Sequence, residues 1–170
     1  RRQRQMCIRD SGFTGLQIVD VSNPSSMTMI GDHPTPDDVE GVAIVGTTAY
    51  VSGGFDEGLQ IVDISNPESP TTIGSVFLEG STYKLAATAN VVYVMATYGM
   101  YIVETSVPAS PEMIGMYPLS SARDVILDDD VAYLAGGGAG LHIVDVTNAT
   151  APPMLTTYDT PDLAFGVDVE

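Results

Sequence analysis

The sequence predicts an all-β fold: a β-propeller of about four four-stranded antiparallel blades. Three observations predict it. One phrase recurs four times, as GLQIVDVSNP from Gly15, GLQIVDISNP from Gly58, GMYIVETSVP from Gly99 and GLHIVDVTNA from Gly140, at spacings of 43, 41 and 41 residues. A period of that length with strand-like content marks a propeller blade or a similar stacked unit. Each period is also cut by turn residues into four short apolar runs, as a propeller blade of four strands requires. Finally, the runs carry apolar residues on both faces, so both faces of each small sheet are packed.

The elements follow in order within the second period, with strands lettered a to d from the inside outward. Strand a is Gly41 to Val45 and strand b is Ala49 to Gly53. Glycines crowd the connection from b to c at Gly53-Gly54, and again at Gly136-Gly137-Gly138, where a positive φ carries no steric cost. Strand c starts at Gly58 and alternates Leu59, Ile61 and Asp63 with Gln60, Val62 and Ile64. It ends at Ser65-Asn66-Pro67, because Pro presets one backbone angle and cannot donate to a ladder. Strand d runs from Thr71 to Leu78. Strand a of the next blade, Lys84 to Thr88, is joined to its strand b, Val91 to Ala96, by only Ala89-Asn90, which demands an antiparallel hairpin. A parallel β-helix has shorter coils and a sandwich needs no self-similarity.

The ends are in matching phase. Met6 to Arg9 stands in the place of a strand b, and Ala164 to Val169 in the place of a strand a, preceded by Thr160-Pro161-Asp162 where the second blade has Thr35-Pro36-Asp37. Two arrangements follow. Residues 1–170 form one domain in which the last strand completes the first blade and closes the ring, leaving no open inner edge; or the chain is a piece of a larger ring.

Charge narrows the partners. Of the six basic residues, Arg1, Arg2, Arg4 and Arg9 precede Asp10, leaving Lys84 and Arg123 against 22 carboxylates in the rest of a chain of net charge −16. Such a body repels phosphates, so nucleic acid is excluded as a partner and an anionic membrane surface is disfavoured. Cationic partners and cations remain compatible with it. No run is long and apolar enough for a membrane-spanning helix. The single cysteine, Cys7, permits no intrachain disulfide and reads as a small buried hydrophobe.

The repeated motif, G-L-x-I-V-D-[VI]-[ST]-N-P followed by a second Pro and an apolar strand, resembles the LVIVD-repeat family of bacterial and archaeal surface proteins. Residues 15–24 and 58–67 carry it in full, whereas the third copy has Met100, Glu104 and Val107 and the fourth has Ala149 at the Pro position. The resemblance implies a secreted or cell-surface modular propeller with no assigned reaction.

Candidate site residues fall in two groups. Asp20, Asp63, Glu104 and Asp145 precede the turn from c to d, where a carboxylate accepts hydrogen bonds from turn N–H groups, a structural role. Asp37, Asp38, Glu40, Lys84, Arg123, Asp124, Asp162 and Asp168 lie in the loops entering strand a, at the channel mouth to which every blade contributes. Calcium needs six to eight oxygen ligands, and the Asp37 loop is the better candidate for it than Asp128-Asp129-Asp130. No cofactor is otherwise implied. His33 and His142 fall in strands d and c, with His142 expected to face solvent. Met27, Met29, Met113, Met116 and Met154 fall in or beside d strands and are expected to fill gaps between sheets.

The leading functional expectation is a non-catalytic extracellular or cell-surface scaffold, recognising a protein or surface glycan partner through loops 35–41, 79–84, 119–124 and 160–166 and able to self-associate. The alternative is a divalent-metal-dependent hydrolase or lactonase-like enzyme at the channel mouth, with Glu40, Asp124 and Asp168 as ligands or base.

Overall fold

The computed structural model describes residues 15–35, 38–54 and 58–170, together with the backbone of residues 5–9. It contains four antiparallel sheets, each a meander of consecutive strands. The first has β1 (Gln5–Arg9), β2 (Leu16–Asp20) and β3 (Thr28–His33). The second has β4 (Val39–Val45), β5 (Thr48–Gly53), β6 (Leu59–Asp63) and β7 (Thr71–Val76). The third has β8 (Thr82–Ala87), β9 (Val91–Ala96), β10 (Gly99–Glu104) and β11 (Glu112–Pro118). The fourth has β12 (Asp124–Asp128), β13 (Val131–Ala135), β14 (Leu141–Asp145) and β15 (Met154–Tyr158).

The repeat is a repeat of register as well as of sequence. Every c strand shifts against its d strand at one place, between Ile18 and Val19, Ile61 and Val62, Ile102 and Val103, and Ile143 and Val144. A bulge there bends the outer strand and strengthens the local twist.

Neighbouring sheets pack face to face under one rule. The face carrying the Tyr of strand b with the Leu and Ile of strand c meets the Val-rich face of the following sheet. Leu16 and Ile18 thus meet Val51 and Val62. Tyr50, Leu59 and Ile61 meet Val92, Val94 and Val103, and Tyr93, Met100 and Ile102 meet Leu134, Val144 and Val146. Ile18, Ile61 and Ile102 are all 0% exposed, each burial stabilising the fold by about 1.5–3 kcal/mol. The core is therefore three apolar slabs between sheets rather than one central mass.

Glycine makes the outer ends of these slabs close. A Cβ on Gly31, Gly74 or Gly115 would lie 1.9, 2.0 or 2.0 Å from the carbonyl oxygen of Pro67, Pro108 or Ala149 in the turn of the following sheet. The Ile-Gly pair at residues 30–31, 73–74 and 114–115 is a signal of this contact that the strand assignment alone passes over.

Three expectations are corrected. The segment 164–169 forms no strand: its one ladder contact is an antiparallel bridge between Ala164 and Gly137, and among the described residues the first sheet stays three-stranded, with no ring closed. His142 does not face solvent; it is half-buried between sheets, its Nδ1 2.9 Å from the Tyr117 hydroxyl. The d-strand methionines do not fill gaps, for Met27, Met29, Met113 and Met154 are 51–61% exposed, because the outermost strands have only solvent beyond them. Met116 alone of the five packs on a slab, and among the described side chains the fully buried methionines are Met95 and Met100.

Candidate functional site

The c to d corners are built alike. The carboxylate that ends each c strand accepts a hydrogen bond from the backbone N–H two residues on: Ser22 to Asp20 at 2.8 Å, Ser65 to Asp63 at 2.8 Å, Ser106 to Glu104 at 2.9 Å and Thr147 to Asp145 at 2.8 Å. The Thr147 hydroxyl adds a second bond to Asp145 at 2.6 Å. These bonds favour the ionised form, so all four carboxyls sit below their ordinary pKa values; the hydroxyl of Thr147 is the larger cause at Asp145, and the backbone N–H at the other three. Glu104 performs the same task with a longer side chain.

The entries to the innermost strands hold the other candidates. Asp38 is exposed and Glu40 half-buried at the start of β4. Asp37 lies outside the described residues. Lys84 is exposed on β8, while Arg123 folds back, its guanidinium carbon 4.7 Å from the centre of the Tyr83 ring. That cation–π contact places the base of the third and fourth sheets together. Asp124 opens β12, takes the N–H of Val125 at 3.0 Å on one oxygen and that of Val167 at 3.4 Å on the other. Asp162 and Asp168, both exposed, accept bonds from the N–H groups of their own neighbours Leu163 and Val169.

The acidic residues are thus distributed around the strand entries rather than gathered at a point. Among the described residues no three His, Cys, Asp or Glu side chains form a group able to hold a metal ion. Glu40, Asp124 and Asp168, proposed above as one ligand set, are not brought together. What the geometry does bring together is Arg123 with Tyr83 and Asp124 with the C-terminal segment. Sequence reasoning missed Ser52, which is fully buried and donates its hydroxyl to the Tyr83 carbonyl across the second slab. Its counterparts in register are Arg9, Met95 and Ala135, so no repeated pattern could have marked it.

The described sheets have the meander order and stacked packing of a β-propeller-like fold. The LVIVD repeat model matches residues 8–35, 36–77 and 120–160, more than half of the chain, and the protein belongs to this family. The third sheet lies between the matched segments, in keeping with the drift at Met100, Glu104 and Val107. No curated protein sequence matches the chain significantly. In fold it is similar to the computationally designed Ika8 protein, with a TM-score of 0.77 and 8% identity over 100% of this chain and 51% of that one. The computationally designed Ika4 protein is similar too, at a TM-score of 0.65 and 8% identity over 81% of this chain and 83% of that one. A functionally unknown protein from Desulfotomaculum acetoxidans DSM 771 gives a TM-score of 0.71 and 12% identity over 92% of this chain and 53% of that one. The chain therefore spans about half the length of the Ika8 chain.

Proposed function

We propose that this chain is a non-catalytic scaffold that acts outside the cell or at its surface, holding a protein or glycan partner on the loops that enter the innermost strands. The observation that carries this reading is the contrast between framework and loops. The framework repeats down to the position of a single bulge, while the loops read TPDDVEG, EGSTYK, LSSARD and TPDLAFG. Loops that differ on a repeated rigid support are where binding concentrates. The dominance of carboxylates selects a cationic protein surface or a cation-bridged glycan as the partner.

The non-catalytic part of the reading has its own support. The enzyme alternative requires Glu40, Asp124 and Asp168 to converge within about 2.0–2.6 Å of one ion, and they are spread over separate strand entries. At constant ionic strength, calcium and a chelator are accordingly expected to leave the thermal midpoint unchanged; a rise of several degrees with calcium would revive the metal-dependent reading.

The direct test exchanges loops. The residues 119–124 are replaced by those at 79–84, and binding to a basic protein and to acidic and neutral glycans is measured by calorimetry at low and high salt. The scaffold reading expects binding that weakens with the exchange and with salt. Binding that ignores the exchange, or turnover of ester or lactone substrates lost on Asp124→Asn, would replace it.

A further inference from the structure

Positive charge is scarce in this chain and is gathered in one place. Beyond Asp10 the only basic residues are Lys84 and Arg123, set against 22 carboxylates in the whole sequence. Both stand at the heads of neighbouring innermost strands, Lys84 in β8 and Arg123 immediately before β12, and these strands pack on each other. The backbone is irregular at the same level. β4 shifts against β5 between Val39 and Gly41, which makes Glu40 an extra residue; β8 shifts against β9 between Thr82 and Leu85, which gives Tyr83 and Lys84 one place between them. Before β12 the departure is of another kind, Ser121 lying in the left-handed region at φ 62°. Bulges and left-handed non-glycine residues re-aim side chains at a cost to the local backbone, and they concentrate at functional sites.

The two loops that carry the cations are locked together. The connection from β9 to β10 runs between them. The Thr97 N–H reaches the Ser81 carbonyl at 3.0 Å and the Ser81 N–H reaches the Thr97 hydroxyl at 3.2 Å. On the other side, the Leu119 and Ser121 N–H groups reach the carbonyls of Tyr98 and Thr97 at 3.2 and 3.4 Å. Tyr98 is 51% exposed and lies beside Gly80, where a Cβ would come 3.1 Å from its ring. Arg123 has its guanidinium carbon 4.7 Å from the centre of the Tyr83 ring, and its Nε is buried with no hydrogen-bond partner among the described residues. Asp124, next in sequence, is engaged elsewhere, its two oxygens taking the N–H groups of Val125 and Val167. A guanidinium held over a ring and partly stripped of water attracts an anion more strongly than one in open solvent.

We propose that Arg123, Lys84 and Tyr98 form a subsite for an acidic sugar. The Arg123 guanidinium binds the carboxylate of a uronic acid unit, Lys84 adds a second positive charge at the same rim, and the exposed Tyr98 ring takes the apolar C–H face of the sugar. The subsite rests on the loop-face reading and narrows it to a glycan, held by the protein's own cations and not through a bridging ion. Charge favours this ligand over an acidic protein. A uronic acid unit brings one carboxylate on an otherwise neutral ring, whereas an acidic protein surface brings many, and a chain of net charge −16 repels them.

The test is an amide-resolved NMR titration of isotope-labelled protein with glucuronic acid, at neutral pH and low salt with chelator present. Saturable shifts are expected at residues 79–84, 97–98 and 119–124, and none with glucose or with the methyl ester of the acid. Arg123→Gln should weaken binding by about 10-fold or more, the loss expected of a hydrogen bond to a charged group. Arg123→Lys should recover part of that loss, and Tyr98→Ala should weaken glucuronate while leaving acetate unchanged. Strand amides remote from the loops report that each variant is folded. Absence of saturable shifts, an ester that binds as well as the acid, or an affinity unchanged in Arg123→Gln overturns the subsite. So does a capped glutamate that binds more tightly than glucuronate, which makes an acidic peptide the ligand. Binding that requires calcium overturns it too but leaves the loop-face reading standing, since a bridged glycan then occupies the same loops.

Discussion

Asp63 shows how much of this fold depends on single polar contacts at the corners. Its carboxylate ends β6 and takes the Ser65 N–H, a bond that lowers its pKa. A carboxyl with a lowered folded-state pKa stabilises the fold above its unfolded value, and that contribution is lost as pH falls through the folded value. The unfolded reference is 3.8, so Asp63→Asn is expected to cost stability in full at pH 7 and progressively less as pH falls below that value. Urea unfolding of both proteins across that range checks it; a pH-independent difference would mean that the side-chain amide, not the charge, matters. Gly74 makes the complementary point for packing. Gly74→Ala sets a methyl 2.0 Å from the Pro108 carbonyl and should destabilise by roughly 1–3 kcal/mol. Thr156→Ala, at the same register position of the exposed β15, should change stability by no more than about 0.5 kcal/mol. Denaturant titration of the two variants decides it.

At the level of elements, the unit of stability is a pair of sheets and not a strand or a single sheet. A c strand carries apolar residues on both sides because one side belongs to the slab before it and the other to the slab after it, as Tyr101 and Ile102 do in β10. Truncations at equivalent repeat positions should therefore differ by neighbourhood. Ile61→Ala empties a fully enclosed site and should cost about 2–5 kcal/mol. Ile143→Ala removes a half-buried side chain and should cost clearly less. Urea titration of both variants checks it, and equal costs would contradict the slab description. The histidines belong at this scale as well. His33 lies 2.8 Å from the Thr72 hydroxyl and His142 meets Tyr117 edge-on at 6.0 Å, so each ties one sheet to its neighbour.

For the whole molecule the governing quantity is charge. A net charge of −16 opposes compaction, and salt screens it. Added sodium chloride should raise the thermal midpoint at pH 7, by the same amount for any monovalent salt of equal ionic strength. A response confined to calcium would instead indicate an ion site. The pH dependence has two limbs. Lowering pH from 7 into the ordinary carboxylate range relieves repulsion and stabilises, whereas further acidification protonates the corner carboxylates, whose pKa values lie lower, and stability falls.

The architecture was legible in the sequence because it is repeated: four copies of one phrase, turn residues at fixed offsets and a two-residue hairpin settle strand order and pairing locally. β9, expected at Val91 to Ala96, is found there, and β4, β5 and β7 differ from expectation by one or two residues at their ends. The carboxylate roles at Asp20, Asp63, Glu104 and Asp145 were legible for the same reason, since donor and acceptor lie two residues apart. Contacts between sheets were not. That Arg123 stacks on Tyr83, that Ser52 reaches the Tyr83 carbonyl, that Glu40, Asp124 and Asp168 stay apart, and that Ala164 bridges to Gly137 all depend on how sheets are placed relative to each other. Local pattern specifies each sheet, because strand pairing and turns act over short separations. The angle between sheets, and with it which loops meet and whether the ends join, is set by side chains some forty residues apart and only the tertiary structure decides it.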